Sequence, residues 1–174
     1  RRRPGHDPGR YPGVAVGGAI FHDGNLLPGD AFRCGEAGHM TLIPDGKPCY
    51  CGKTGCVDAY CSARLLSDLS GGRLEDFFLG LQQNNPDYRS VWDTYLKHLA
   101  VVINNLHMIL DYDIVLGGYV GSFLTPWLDT IRHLVAERNT FEDDGSFVKL
   151  CTYQTGAAAY GAAMDVMEEF LRTV

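Results

Sequence analysis

The feature that most constrains this 174-residue chain is a run of three cysteines within eight residues, preceded by a histidine. Cys49, Cys51 and Cys56 stand too close together for ordinary disulfides with one another, and such a cluster is typical of a metal site in a reducing compartment. With His39 they make a Cys₃His set, which fits a closed, structural zinc site. Free cysteines that happen to lie close are the alternative. The turn-rich loop between them favours wrapping around an ion, so the sequence predicts a zinc loop over residues 39–56.

The composition is that of a folded, soluble protein. Apolar residues make up 45% of the chain and charged residues 21%, close to the average for globular domains. No run approaches the roughly 18 apolar residues of a membrane-spanning helix. The arginines at the start are not followed by the apolar core of a signal peptide. We therefore expect a soluble, cytoplasmic protein with no membrane partner.

The charge distribution is uneven. The net charge is −6, yet four of the 15 basic residues lie in the first twelve positions, so the rest of the chain is more acidic. An acidic body repels phosphate backbones, and nucleic acid would be bound only through a domain not present in this chain. Residues 1–12 contain three prolines and two glycines and are predicted to be a disordered basic arm. Contact of this arm with a polyanion is the alternative.

Strand and helix patterns alternate along the rest of the chain, which predicts the α/β class. Asp23-Gly24 is a hairpin turn signal between two strands. The predicted strands cover residues 14–22, 25–27, 113–116 and 147–153, and the predicted helices cover 57–70, 73–81, 87–110, 124–137 and 155–171. The 87–110 helix has the clearest apolar stripe, formed by Val91, Tyr95, Leu99, Val102, Leu106 and Ile109.

The residues around the cysteine cluster resemble the signature of the ROK family, which groups bacterial repressors and sugar kinases. The matching positions are Gly35, Glu36, Gly38, His39, Cys49, Cys51, Gly52, Gly55 and Cys56. In that family this region belongs to the second lobe of a two-lobed, actin-like (ribonuclease H-like) sugar kinase fold. The resemblance therefore implies that residues 13–174 form a C-terminal lobe with an inserted zinc loop.

The resemblance also implies a sugar site. It assigns Glu36 and His39 to sugar hydroxyls and His39 to zinc as well, which is compatible because the two imidazole nitrogens can serve one role each. Asp58 stands where the family usually has a sugar-binding glutamate, and its shorter side chain withdraws the charge by one methylene. On the residues alone, Glu36 is interpreted as an exposed loop residue. Asp58 is equally well explained as a helix-terminal aspartate that interacts with the macrodipole.

A glycine-rich segment near the start resembles the family's phosphate loop. Its matching glycines are Gly13, Gly17 and Gly18. Val14 and Ala15 replace a threonine and a glycine of the family pattern. The loss of a hydroxyl donor and the added methyl group both disfavour close approach of a phosphate.

A second glycine pair, Gly117 and Gly118, follows a predicted strand and precedes a predicted helix. This pair resembles the family's adenosine-side loop. A simple tight turn is the alternative, because a strand–glycine–helix connection needs no ligand.

Two kinase motifs are missing from the sequence: an Asp-x-Gly-x-Thr phosphate loop, and an Asn-Asp pair whose aspartate deprotonates the sugar. In the family both lie upstream of the matched region, so we expect a truncated product, an isolated domain or a gene with a displaced start. The leading interpretation is the sugar-sensing lobe of a transcriptional regulator that associates as a homodimer. One alternative is a fragment of an ATP-dependent hexose kinase, with ATP bound only in the full-length protein. The other is a zinc-stabilised dimerisation module without a ligand.

Overall fold

A computed structural model describes residues 15–173, which fall into two compact units that meet in sequence between Val102 and Ile103. The first unit holds the hairpin β1 (Phe21–His22) and β2 (Asn25–Leu26), a 3₁₀ turn (Ala37–His39), α1 (Asp58–Cys61), α2 (Ala63–Ser67), a 3₁₀ turn (Asp68–Ser70), α3 (Leu74–Gln82) and the first part of α4 (Pro86–Leu110). The second unit holds the end of α4, β3 (Ile114–Leu116), α5 (Gly118–Gly121), a 3₁₀ turn (Thr125–Trp127), α6 (Leu128–Ala136), β4 (Val148–Leu150), a 3₁₀ turn (Gln154–Gly156) and α7 (Ala157–Thr173).

The predicted hairpin is confirmed, but its first strand is much shorter than predicted. Asp23 and Gly24 have φ angles of 50° and 75°, the positive values that a type I′ turn requires. Over residues 15–20, however, the predicted strand is wrong, because only Phe21 and His22 pair with the return strand. The chain at Val16 pairs with no neighbouring strand, and its N–H donates instead to the side chain of Asp58.

The predicted helix over residues 57–70 is interrupted. Ser62 is extended, with φ −78° and ψ 154°, so α1 ends before it and α2 begins after it. This break shifts the apolar face. Leu66 is fully buried, whereas Leu69, near the end of the predicted helix, is 46% exposed.

Helix α4 is the longest element, and it begins one residue earlier than predicted. Pro86 stands in its first turn, where its fixed φ is favourable, and Asn85 Oδ1 accepts hydrogen bonds from the N–H groups of Asp87 and Tyr88. The predicted stripe on this helix is confirmed in part, because Tyr95 and Val102 are buried whereas Ile109 is 78% exposed. Several of the residues buried most deeply lie off that stripe: Trp92, Leu96, Ala100 and Ile103.

The core of the first unit is aromatic. Phe77 and Trp92 are both fully buried, and Phe77 stacks on Tyr88 with the ring centroids 4.9 Å apart. Trp92 stacks in turn on Tyr95. The Tyr95 hydroxyl donates to the carbonyl oxygen of Cys61 at 2.7 Å, which fixes the end of α1 against α4. Truncation of one such aromatic side chain typically costs about 3–5 kcal/mol, so this core anchors the element that carries Asp58.

The second unit contains a parallel pair of strands. In this pair Ile114 lies opposite Val148, and Leu116 opposite Leu150. Carboxyl ends of parallel strands meet at one edge of a sheet, so Gly117 and Cys151, which follow the two strands, are neighbours. The unit's fully buried side chains include Ile131, Val135 and Val148.

The predicted α/β class is confirmed within the described residues, although the strands predicted over 113–116 and 147–153 are reduced to three residues each. The helices predicted to begin near 124 and 155 both open with a 3₁₀ turn. No helix within residues 15–173 is long and apolar enough to cross a membrane. The predicted arm, residues 1–12, lies outside the described residues.

Candidate functional site

The four predicted metal ligands lie together in the first unit. One ligand atom from each of His39, Cys49, Cys51 and Cys56 falls within 4.8 Å of the other three. The Sγ atoms of Cys51 and Cys56 are 3.7 Å apart. Two sulfurs on one tetrahedral zinc, each at about 2.3 Å from the metal, are separated by about 3.8 Å. The donor set and its spacing therefore fit zinc.

Backbone pairing between distant parts of the loop brings these ligands together. Thr41 bridges to Cys56 and, inside that pair, Pro48 bridges to Thr54, both antiparallel, so the chain doubles back on itself between residues 41 and 56. The reversal depends on Gly55, which has a φ of 78° and whose Cβ, if present, would collide with the Ile43 carbonyl oxygen. Only glycine tolerates both conditions.

The histidine is arranged for one metal bond. His39 Nδ1 is buried and has no hydrogen-bond partner among the described residues, whereas Nε2 lies 3.2 Å from the Tyr50 hydroxyl. Buried polar atoms in folded proteins nearly always have a partner. A metal ion on Nδ1 would supply the missing partner and leave Nε2 on the open side.

Burial favours the protonated form of two of the thiols. Burial raises the pKa of Cys56 to about 12, with the neighbouring thiols of Cys51 and Cys49 acting in the same direction. Burial also raises the pKa of Cys49. A zinc ion would displace these protons, because thiolates rather than thiols are its ligands.

Glu36 and His39 form an exposed polar pair beside the metal ligands. Glu36 directly precedes the 3₁₀ turn that ends at His39. Its Oε2 lies 3.9 Å from His39 Nε2, and the two side chains are 60% and 33% exposed. A carboxylate acceptor and an imidazole nitrogen therefore face solvent side by side.

Asp58, the third predicted sugar residue, is buried at the start of α1. Its Oδ1 accepts a hydrogen bond from the Val16 N–H at 2.6 Å. Burial raises the pKa of the Asp58 carboxyl, and this hydrogen bond acts in the opposite direction. Sequence reasoning missed the contact with Val16, which commits one carboxylate oxygen to the backbone.

The two glycines of the signature's first segment allow two chain segments to touch. A Cβ on Gly38 would collide with the Val16 carbonyl oxygen, and one on Gly35, at φ 86°, with that of Gly18. Gly17, by contrast, has open space where its Cβ would be. Of the predicted phosphate-loop residues, Gly18 therefore lies against Gly35, beside the turn that carries Glu36 and His39. Gly13, the third of that set, is outside the described residues.

The second predicted glycine pair belongs to the other unit. Gly117 precedes α5, and Gly118 opens it with a φ of 73°. A Cβ on Gly117 would lie 3.0 Å from the Cβ of Cys151. This close approach gives the pair a packing role, in keeping with a tight turn, and Cys151 is a neighbour that the sequence did not reveal.

Tyr50 is the residue of the site that sequence reasoning missed. It is 53% exposed, and its ring meets the His39 ring edge-on, with centroids 5.3 Å apart. Burial raises the pKa of the Tyr50 phenol, followed by the charges of Asp58, Cys49 and Glu36. The sequence signal that could have found it is its position: Tyr50 stands between two predicted ligands, so it must lie near them in the fold.

Comparison with known proteins identifies the class. The sequence model of the ROK family matches residues 13–169, which is most of the chain, and the chain therefore belongs to the ROK family. Its fold is that of ROK sugar kinases, an actin-like fold with mixed α/β structure. The family also includes transcriptional regulators.

Three relatives illustrate that range. An N-acetylmannosamine kinase of Escherichia coli O7:K1 (strain IAI39) is 31% identical over 165 residues, covering 91% of this chain and 55% of the kinase. The crystal structure of a ROK glucokinase from Streptomyces griseus in complex with glucose and AMPPNP matches with a TM-score of 0.68 and 21% identity, over 83% of this chain and 55% of that one. A ROK transcriptional regulator, a homolog of E. coli MLC, matches with a TM-score of 0.65 and 22% identity, over 79% and 39%. The chain spans about half the length of the curated relatives it matches.

Proposed function

We propose that this chain is the sugar-binding part of a ROK protein, in which Glu36 and His39 hold sugar hydroxyls and a structural zinc ion holds the loop. The carrying observation is the 3.9 Å separation of Glu36 Oε2 and His39 Nε2 on the exposed side of a histidine. The other nitrogen of that histidine is buried without a partner. One ring thus serves the metal on one side and the ligand on the other.

The proposed chemistry follows from the donor types. The Glu36 carboxylate accepts hydrogen bonds from sugar hydroxyls, and the His39 N–H donates to a hydroxyl oxygen. Three thiolates and one imidazole close the zinc shell, so the metal orders the loop and takes no part in a reaction. Asp58 contributes through its second oxygen, since Oδ1 is engaged by Val16.

Sugar sensing by a transcriptional regulator is the leading role. Its support is the altered glycine loop, where Val14 and Ala15 replace residues that favour phosphate, because a sensor has no need to hold ATP. Contact with DNA would come from a domain outside this sequence, and association with a second copy is part of the proposal. Sedimentation of the zinc-loaded protein tests that association.

A sugar kinase is the second candidate, favoured by the 31% identity to an N-acetylmannosamine kinase across 91% of this chain. In that role the complete protein would bind ATP, with Gly17 and Gly18 as candidates for its phosphate loop and Gly117 and Gly118 as candidates for its adenosine-side loop. A coupled assay of the complete protein with ATP and hexoses separates the two roles, since the sensor interpretation predicts no turnover there.

Titration calorimetry of the zinc-loaded chain tests sugar binding, which both roles require. We expect heat from at least one of glucose, N-acetylglucosamine, N-acetylmannosamine, mannose and fructose. Glu36→Gln should weaken that binding about tenfold, the value of a hydrogen bond to a charged group. Glu75→Gln is the matched control, because Glu75 is an exposed residue in the first turn of α3. If none of these sugars binds while zinc still supports a dimer, the chain is a dimerisation module and the proposal is wrong.

A further inference from the structure

Tyr50 covers the nitrogen that the proposed function reserves for the sugar. Its hydroxyl oxygen lies 3.2 Å from His39 Nε2, the same atom that lies 3.9 Å from Glu36 Oε2. The phenol ring stands edge-on to the imidazole, with an interplanar angle of 62°. A protein hydroxyl therefore occupies the place where a sugar hydroxyl would bind.

The position of the ring hydrogen of His39 decides whether this occupation is competitive. A metal on Nδ1 would leave the single ring hydrogen on Nε2, which could then only donate. The Tyr50 oxygen, 3.2 Å away, would then accept that hydrogen. A sugar oxygen needs the same hydrogen, and one N–H makes one good hydrogen bond at a time.

The backbone of Tyr50 is held in a turn, whereas its side chain is about half exposed. The Gly52 N–H donates to the Cys49 carbonyl at 2.9 Å, and the Cys49 N–H donates to the Lys53 carbonyl at 2.8 Å. Tyr50 lies inside this turn, between two of the thiols that would hold the metal. The hydroxyl is therefore presented to His39 from a fixed backbone position at the protein surface.

We propose that the Tyr50 hydroxyl is a built-in competitor for the sugar hydroxyl on His39 and so determines which sugars bind. This inference rests on the proposed function and adds the regulation of that site. A sugar hydroxyl placed to reach both His39 Nε2 and Glu36 Oε2 gains two hydrogen bonds and displaces Tyr50. A sugar without a hydroxyl at that position makes no more than one of them and binds more weakly.

Calorimetry of Tyr50→Phe against the original protein tests the competition. Glucose and N-acetylmannosamine are the probes, and both proteins are first matched for zinc content and for their thermal melts. Removing the competing hydroxyl should tighten binding about three- to tenfold, as expected for one hydrogen bond. Tyr119→Phe is the control, because Tyr119 is 51% exposed and lies in the other unit; it should leave the affinity unchanged.

A second readout is independent of sugar. In nitrogen-correlated NMR spectra the His39 Nε2 hydrogen should exchange with water faster in Tyr50→Phe than in the original protein, because its acceptor has gone. Equal or weaker sugar binding by Tyr50→Phe, or unchanged exchange of that hydrogen, overturns the competitor role and leaves the sugar site standing. Failure of both proteins to bind either probe, or any other sugar of the panel, overturns the proposed function and this inference with it.

Discussion

The carboxylate of Asp58 accepts a hydrogen bond from the backbone N–H of Val16 at 2.6 Å, across 42 positions of sequence. This contact ties the glycine-rich segment of the chain to the first residue of α1. A residue predicted to serve a ligand thus also serves the fold. Its substitution should affect stability before any sugar is added.

Asp58→Ala should lower the free energy of unfolding by about 2 kcal/mol, because it removes a charged acceptor from a partly buried N–H group. Urea denaturation of the zinc-loaded protein measures this. The matched control is Asp129→Ala, which removes an exposed aspartate from the first turn of α6. Equal losses in the two variants would mean that the helix dipole, and not Val16, accounts for the role of Asp58.

Gly38→Ala should destabilise the protein by about 1–3 kcal/mol, because its new methyl group would meet the carbonyl of Val16 and backbone yields less readily than a side chain. Gly17→Ala is the control. Its Cβ would enter open space, so the expected change is within about 0.5 kcal/mol. Both values come from the same urea titrations, and comparable effects at the two positions would contradict the close packing of these segments.

The purified protein should contain about one zinc ion per chain, and a chelator should lower its melting temperature. Cys56→Ser should lose the metal because it removes one of the four ligands. Cys34→Ser should keep it, since Cys34 is partly exposed and lies outside the cluster. Elemental analysis and thermal melts of the three proteins check this, and zinc retained by Cys56→Ser would contradict the ligand set.

Zinc binding should become tighter as the pH rises. The pKa of Cys56 is raised to about 12, and that of Cys49 is raised as well, so the metal-free thiols are protonated near neutral pH and must release protons on binding. Calorimetry in buffers of different ionisation enthalpy should give roughly three protons released per zinc, one for each thiol. An affinity independent of pH between 6 and 8 would exclude thiolate ligation.

His98 should make stability depend on pH. Burial, followed by the charge of Lys47, lowers the pKa of His98, so the unfolded chain takes up a proton more readily than the folded one. Stability contributed by the neutral ring is complete above the unfolded pKa of about 6.5 and is lost as the pH falls from there towards the folded value. Urea titrations between pH 5 and 8 should therefore show a slope that His98→Gln reduces. His133→Gln, with a side chain 76% exposed, should keep the slope.

Local chemistry explains what the sequence predicted well. The metal ligands lie within 18 positions of one another, so their spacing in the sequence is enough to predict that they form one site. Asp23 and Gly24 are likewise a turn whose geometry is decided by the two residues themselves.

Long-range packing explains what the sequence did not predict. Helix α4 carries apolar residues on more than one face, so its sequence is compatible with two different buried stripes. The aromatic packing around Trp92 decides which face is buried. The break at Ser62 and the bond from Val16 to Asp58 depend on distant segments as well. Tyr50 stands between two predicted metal ligands in the sequence. Its orientation towards His39, however, follows from a turn that the sequence alone does not fix.

The close contact between residues 16–18 and 35–38 is made largely through main-chain atoms. A contact made through main-chain atoms depends little on which side chains residues 16–18 carry. A side chain at Gly17 would enter open space, so a substitution there can change the surface beside Glu36 and His39 while the backbone contact between the two segments is kept.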